Sequence, residues 1–67
     1  MSELIGKTAV VTGTINGKHL GEVAVPVRAG VEHFAAYAEN REDVLPEGTK
    51  VVIVDDFHNR TLVVRAV

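Results

Sequence analysis

The clearest pattern of hydrophobic and polar positions lies between positions 21 and 38, GEVAVPVRAGVEHFAAYA. Apolar residues recur there at every second position, which is typical of a strand with one buried face. The segment contains two such runs, and Ala29-Gly30 offers a turn between them. The pattern therefore predicts a β-hairpin around which the other segments fold. Its buried side carries Val23, Val25 and Val27 from the first strand and Phe34, Ala36 and Ala38 from the second.

Three other segments also have the composition of strands. β-Branched residues are frequent in KTAVVTGT at positions 7–14, KVVIVDD at 50–56 and TLVVRAV at 61–67. Gly13 interrupts the first of them, and a glycine inside a strand predicts a β-bulge or a sharp bend. Together with the two strands of the hairpin, these segments predict five strands and no long helix.

The connections between the strands are short. Asn16-Gly17 predicts a type I′ hairpin turn, because both residues tolerate the positive φ angles that this turn requires. The polar segment ENREDVLPE at 39–47 is too short for more than one helical turn, which Asp43 is placed to cap. Val44 and Leu45 are expected to plug the open end of a barrel.

These elements predict an all-β fold in one small domain that spans residues 1–67. A closed, five-stranded antiparallel barrel suits the chain best, because closure leaves no strand edge unpaired. The predicted interior consists of Val23, Val25, Val27, Phe34, Ala36, Val51, Ile53, Leu62 and Val64.

Composition narrows the classes of partner and compartment. The formal net charge is −2, and acidic and basic residues alternate along the chain, which argues against the basic stripe of a phosphate-binding surface. The longest apolar run, FAAYA at 34–38, is far shorter than the about 20 residues that cross a bilayer. The opening MSELIGK contains no apolar signal core. We therefore expect a cytoplasmic chain, held at the membrane only as part of a longer protein or through a partner.

Residues that carry catalysis or bind metals are sparse. His19, His33 and His58 do not have the i, i+2 or i+4 spacing of a metal site. Asp55-Asp56 has no nucleophile or partner base beside it, and we interpret the pair as a charged strand end. The chain has no cysteine and no glycine-rich phosphate motif. The sequence therefore predicts no enzymatic activity, no catalytic or metal site, no cofactor and no small-molecule substrate.

Binding of single-stranded nucleic acid is the alternative function. Small five-stranded barrels often place stacking aromatic residues on their second and third strands, inside a basic groove. Tyr37, near Arg28 and His33, is the one stacking platform that the sequence offers, because Phe34 shares its face with core alanines. One ring without a basic groove makes nucleic acid the weaker interpretation.

Four stretches of the chain resemble the soluble C-terminal domain of the NfeD-like family. They are GKTAVVTGTI at the first strand, GEVAVPVRAG-VEHFAAYAEN across the hairpin, LPEGTKVVIVD at the fourth strand and RTLVVRAV at the end. The resemblance covers nearly the whole chain, and the order and spacing of the stretches carry it. It implies a five-stranded OB-fold barrel without the helix that many such barrels contain.

The same resemblance implies a function in protein interaction. Such domains typically follow transmembrane helices and associate with stomatin-like (SPFH) membrane proteins, often in membrane organisation or quality control. Some larger relatives carry an N-terminal serine protease domain, but this sequence shows nothing of it, so protease activity is not carried over. The family supplies no catalytic motif for this domain. We therefore expect a non-catalytic interaction domain with a protein partner of the stomatin-like class.

The outer face of the central hairpin is the predicted docking site for that partner. Strand faces that contact water usually carry charged residues or threonine, whereas this face is small and apolar with one large ring. An aromatic anchor with a polar rim is typical of protein interfaces. The alternative is that loop residues such as Leu45 or Phe57 cover the face and make it a minor core. The predicted site consists of Ala24, Pro26, Arg28, His33, Ala35 and Tyr37, with Ala24 and Pro26 opposite Ala35 and Tyr37.

Overall fold

The computed structural model describes residues 3–17, 19–57 and 61–67. Its regular structure is all β, and the described residues contain no α-helix. Five strands close into a barrel, which confirms the predicted fold class. The strands are β1 (Thr8–Gly13), β2 (Gly21–Val27), β3 (Gly30–Ala38), β4 (Lys50–Phe57) and β5 (Thr61–Ala66).

Around the barrel the strands follow the order β1-β2-β3-β5-β4, and β4 closes the ring against β1. All neighbouring pairs are antiparallel except β3 and β5, which run parallel. The prediction of a purely antiparallel barrel is therefore wrong at this one pair. The reason is geometric: a ring with an odd number of strands cannot alternate direction all the way round.

Side chains on the inward positions of all five strands fill the barrel. Eight of the nine residues predicted inside are buried, and the ninth, Val27, is partly buried and packs against the core. Ala38 is buried as well, as its place on the Phe34 face predicts. Each fully buried Val, Leu or Ile contributes roughly 1.5–3 kcal/mol by leaving water. Sequence reasoning left out Ala9, Val11 and Ile15, which also belong to the core.

Two β-bulges bend the strands and change which face their residues occupy. The register of β1 against β2 shifts between Val11 and Gly13, which confirms the predicted bulge. A second shift, between Ile53 and Asp55 of β4, was not predicted. A bulge sets two residues against one, so the residues beyond it change sides. The second bulge therefore turns Phe57 to the outer face, although the odd-numbered Ile53 of the same strand points inward.

The connection after β1 turns one residue later than predicted, because Asn16 flanks the turn in an isolated bridge with His19. The amide of His19 donates to the Asn16 carbonyl at 3.4 Å and to Asn16 Oδ1 at 3.1 Å. Gly17 does not have the positive φ that a type I′ turn requires, so that prediction is wrong. A glycine is favoured there for another reason: a Cβ at this position would lie 2.6 Å from the carbonyl oxygen of Arg41.

The turn of the central hairpin lies one residue earlier than predicted. Val27 pairs with Gly30, which leaves Arg28 and Ala29 as the two turn residues. Gly30 has a φ of +136°, a conformation that favours glycine, and it is the first residue of β3 rather than part of the turn.

The segment between β3 and β4 closes one end of the barrel with a single side chain. Leu45 is buried and forms an isolated bridge with Ile15. The two hydrogen bonds of this bridge have N to O distances of 2.8 and 2.9 Å. Val44 is 64% exposed, so the prediction that both residues plug the barrel is wrong for Val44. In extended backbone neighbouring side chains point in opposite directions, and the bridge to Ile15 turns Leu45 inward.

Asn40, rather than the predicted Asp43, caps the turn in this segment. Its Oδ1 accepts from the Glu42 amide at 3.0 Å, and its carbonyl accepts from the Asp43 amide at 3.0 Å. The short amide side chain thus satisfies a backbone donor that the turn leaves without a partner in the main chain.

Asn40→Ala is expected to lower the free energy of unfolding by about 1 kcal/mol, because it removes this side-chain acceptor. Asp43→Ala is the matched control and should change stability by less than about 0.5 kcal/mol. Urea denaturation of the two variants measures both values. Equal losses would contradict the role of Asn40 as the cap.

Candidate functional site

The predicted docking residues lie along the outer side of the central hairpin. Those on the strands share one face, and Arg28 lies in the turn at the edge of that face. Three of the apolar members are partly protected from water, whereas Pro26 and the polar members are open to it. Ala24, Ala35 and Tyr37 are half-buried, and Pro26, Arg28 and His33 are exposed.

The register of the hairpin differs from the predicted one. Ala24 pairs with His33, and Pro26 pairs with Val31. The prediction that they lie opposite Ala35 and Tyr37 is therefore wrong. Because the turn lies one residue earlier than expected, each residue of β2 faces a partner two positions earlier in β3.

Glu22 is the residue that lies opposite Ala35, and it divides the face. Its Oε1 accepts from Thr12 Oγ1 at 2.9 Å and lies 3.6 Å from His33 Nδ1. About half of each side chain of the Glu22–His33 pair is exposed, so the pair contributes at most about 1 kcal/mol. The small apolar patch of the sequence interpretation is thus two patches with a polar group between them.

The larger patch is built around two aromatic rings. The ring centroids of Tyr37 and Phe57 lie 5.8 Å apart with the planes at 45°, a favourable arrangement for two aromatic side chains. Strand β5 runs between them: Tyr37 pairs with Val63, and Phe57 pairs with Thr61. The two rings therefore approach each other over the outer side of β5. Phe57 remains 48% exposed.

Val63 is buried beneath these rings. It is only 7% exposed, although it does not belong to the core cluster of the barrel. As the partner of Tyr37 it shares the outer face with that ring, and we attribute its burial to the rings on either side. Of the two loop residues that the alternative interpretation placed over this face, Phe57 contacts Tyr37 and belongs to β4. Leu45 belongs to the barrel core.

Among the described residues, the charges around the two rings do not form a basic groove. Asp55 lies opposite Val63, and Glu22 lies opposite Ala35, so that acidic side chains adjoin the aromatic patch on two sides. Arg65, on β5, is paired with Glu39 at 3.5 Å. A surface that follows a nucleic-acid backbone needs unpaired cations along its length. The outer face therefore suits a protein contact better than a phosphate backbone.

The side chains considered for metal binding and catalysis do not converge. Among residues 3–17, 19–57 and 61–67, no group of three His, Cys, Asp or Glu side chains could hold a metal ion. His19 is exposed and His33 lies beside Glu22, whereas His58 falls outside the described residues. Asp55 accepts the amide of Asp56 at 2.8 Å, as expected of local contacts at a strand end. The described part of the chain has no helix with the length and apolarity needed to cross a membrane.

The family model of the NfeD C-terminal domain matches residues 8–65, from the first residue of β1 to the last but one of β5. The chain belongs to this family. The resemblance that the sequence suggests is thereby confirmed. No curated protein sequence is significantly similar to the chain.

Solved structures of NfeD domains share the fold. The soluble domain of the NfeD protein YuaF from Bacillus subtilis is 25% identical, with a TM-score of 0.79 over 96% of this chain and 74% of that one. The C-terminal domain of stomatin operon partner protein 1510-C from Pyrococcus horikoshii is 29% identical, with a TM-score of 0.74 over 97% and 89%. A soluble domain from Corynebacterium glutamicum, of a membrane protein implicated in regulation of membrane protease activity, is 20% identical over 91% and 87%, with a TM-score of 0.67. The last similarity shows the fold alone.

In this NfeD domain, three residues that shape the outer face escaped sequence reasoning as members of the site. The period of two places Glu22 on the outer face, but the sequence interpretation did not consider that its charge divides the apolar surface. The burial of Val63 could have been predicted, since TLVVRAV carries apolar residues on both faces of the strand. Phe57 was considered only as a loop residue that covers the face, and its position in β4 could not be inferred, because the bulge in β4 turns it outward.

Proposed function

We propose that this NfeD domain is a non-catalytic protein-interaction module that works beside a stomatin-like membrane protein, in membrane organisation or quality control. The observation that carries the proposal is the aromatic pair of Tyr37 and Phe57 on the outer face of the barrel. We place the domain on the cytoplasmic side of a membrane, where a longer protein or the partner holds it.

The aromatic pair has the properties of an interface anchor. Aromatic side chains are enriched among the residues that dominate binding energies, and they cluster in the centre of interfaces. The ring contact and the burial of Val63 hold the pair in one arrangement before a partner arrives. A contact surface that is already ordered loses less side-chain entropy on binding. The half-exposed Phe57 ring offers the apolar area that a partner would cover.

The rest of the predicted site forms the remainder of the proposed contact surface. Ala24 and Pro26 provide a second, smaller apolar area toward the hairpin turn. His33 and Glu22 lie between the two areas, and Arg28 lies at the edge. This arrangement of apolar areas with polar groups between and around them is common in protein interfaces of moderate size.

The class of partner rests on one relative. The Pyrococcus horikoshii domain is described as part of a stomatin operon partner protein, and it is similar over 97% of this chain. Its similarity of fold and length supports the transfer of a stomatin-like partner to this domain. The lack of convergence among titratable side chains in the described residues supports a binding role without catalysis.

Phe57→Ser is expected to weaken binding of the stomatin-like protein of the same organism by tenfold or more, because it removes the exposed ring of the anchor. Ile5→Ser is the matched control, since Ile5 is 46% exposed against 48% for Phe57 but lies outside the hairpin face. Calorimetric titration of the partner's soluble domain measures both affinities, and thermal melts confirm that both variants fold. If the two variants bind equally, or if the unaltered domain does not bind, the proposal is wrong.

Single-strand binding remains the alternative function and can be measured with the same samples. A true single-strand binder loses affinity for oligonucleotides steeply as the salt concentration rises. We expect no such binding here, because the acidic residues Asp55 and Glu22 flank the rings. If oligonucleotides bind in a salt-dependent manner and Tyr37→Ser abolishes that binding, the ligand of this face is a nucleic acid and the proposed protein partner is wrong.

A further inference from the structure

A cleft of about 280 Å³ lies next to the aromatic pair, at the end of β3. Its walls come from the turn after β1, from the last residues of β3 and from the segment that follows β3. Tyr37 belongs both to this cleft and to the ring pair. The side chains that define its chemistry are Asn16, His19, Leu20, Tyr37, Ala38 and Arg41.

The walls of the cleft are held in place by backbone contacts. The carbonyl of Arg41 approaches Gly17 so closely that no Cβ fits between them. The amide of His19 donates to both oxygens of Asn16, and Asn40 caps the turn that contains Arg41. The two loops that form the cleft are therefore packed against each other.

One side of the cleft is apolar. Leu20 is 57% exposed and presents an uncovered aliphatic side chain. The half-buried ring of Tyr37 and the buried Ala38 form the adjoining wall. The volume lies just below the roughly 300 Å³ at which small-molecule sites begin, which suits one or two residues of a peptide.

The described residues that line the cleft also include cationic and hydrogen-bond-donating side chains and no acid. Arg41 and His19 line the cleft, whereas Glu42 and Asp43, which follow Arg41 in the chain, do not. The ion pairs found among the described residues, Glu22 with His33 and Glu39 with Arg65, do not involve Arg41. In a chain with a net charge of −2, the Arg41 guanidinium and the His19 ring thus offer positive charge and hydrogen-bond donors at one place.

We infer that the cleft binds an acidic side chain flanked by an apolar residue in a linear segment of the protein partner. The carboxylate accepts hydrogen bonds from the Arg41 guanidinium, which matches its planar geometry, and the apolar residue packs on Leu20 and Tyr37. The inference rests on the proposed function, because the same segment continues from the aromatic pair into the cleft. It adds to that function a preference for acidic-apolar sequences.

The experiment is a titration of the ¹⁵N-labelled domain with the acetylated and amidated tripeptide Leu-Glu-Leu, followed by NMR. We expect millimolar binding with amide shifts at His19, Leu20, Ala38 and Arg41, and binding about tenfold weaker for Leu-Gln-Leu. Arg41→Gln should weaken Leu-Glu-Leu binding about tenfold. Lys7→Gln removes the same charge at the opposite mouth of the barrel and should leave binding unchanged.

Several results would overturn the inference. They are equal binding of the two peptides, equal effects of the two variants, or the lack of shifts around the cleft. Leu-Gln-Leu with a free terminal carboxylate serves as a third ligand. If it binds as tightly as Leu-Glu-Leu, the cleft recognises a chain terminus and the assignment to an acidic side chain is wrong.

The failure of this inference can be told apart from failure of the proposed function. If Phe57→Ser abolishes binding of the stomatin-like protein while Arg41→Gln has no effect on it, the proposed function holds and the cleft does not take part. If the stomatin-like protein does not bind but Leu-Glu-Leu does, the cleft is a carboxylate site and the partner is of another class.

Discussion

Val25→Asp is expected to unfold the barrel at room temperature and neutral pH. Val25 is fully buried in the centre of β2, and the core around it is aliphatic, with no buried polar side chain among the described residues. A carboxylate there has no partner, and burying it costs several kcal/mol. At roughly 0.05–0.15 kcal/mol per residue, the stability of a chain of 67 residues is about 3–10 kcal/mol. The substitution therefore removes most or all of the stability.

Val31→Asp is the matched control for this substitution. It introduces the same side chain on the neighbouring strand, at a position that is 59% exposed, and it should change stability by less than about 1 kcal/mol. Far-ultraviolet circular dichroism during thermal melting measures both variants. A cooperative transition for Val25→Asp near that of the unaltered domain would show that the side chain of Val25 does not face the core.

Gly21→Ala is expected to be nearly as damaging, although it adds one methyl group. A Cβ at Gly21 would lie inside van der Waals contact with Ile15 Cγ1 and the Gly13 carbonyl, and 2.8 Å from the Thr14 carbonyl. Two of these atoms belong to the backbone next to the β1 bulge and cannot move without breaking the β1–β2 pairing. Overpacking of this kind typically costs 1–3 kcal/mol and more where backbone is involved, so we expect a loss of about 3 kcal/mol.

Gly13→Ala is the control for Gly21→Ala. Its Cβ would lie 3.3 Å from Glu22 Cβ and 3.4 Å from the Glu22 backbone nitrogen, so a shift of a few tenths of an ångström relieves the contact, whereas the contacts at Gly21 are much shorter. We expect a loss of less than about 1 kcal/mol, measured by urea denaturation in parallel with Gly21→Ala. A larger loss for Gly13→Ala than for Gly21→Ala would contradict the close approach of β2 to the strand end at Gly21.

The central hairpin and the barrel core could be predicted from the sequence because their signal is local. A period of two in GEVAVPV marks the buried side of β2 whatever its neighbours are. The sequence determines the position of the turn less well, because glycine is favoured both inside a turn and beside it. That single-residue difference moved the partner of Ala24 from Ala35 to His33.

The parallel pairing of β3 and β5 follows from the number of strands rather than from any residue. Five strands in a closed ring require at least one parallel pair. Which pair it is depends on the route of the chain between β3 and β4. That segment carries Leu45 to its bridge with Ile15. Leu45 has no strand pattern around it, and Ile15 lies just beyond the predicted end of the first strand. Their contact depends on tertiary structure and could not be inferred from spacing.

The aromatic pair could be predicted only in part. Tyr37 was expected on the outer face from its alternation with Ala36 and Ala38. Phe57 joins it because the bulge after Ile53 reverses the alternation of β4 and because β5 lies between the two rings. Both conditions involve strands that are distant in the sequence. The sequence therefore suggested Phe57 only as one of two loop residues that could cover the face, and not as a strand residue paired with Tyr37.

The most direct test of the interaction surface is an NMR titration of the ¹⁵N-labelled domain with the soluble part of the stomatin-like protein. We predict that the largest shifts and line broadening occur at the amides of Tyr37, Phe57 and Val63, with smaller effects at Ala24 and His33. Changes confined to the opposite mouth of the barrel, around Leu4 and Val27, or a spectrum that the partner leaves unchanged, would contradict a partner-binding role for the aromatic face.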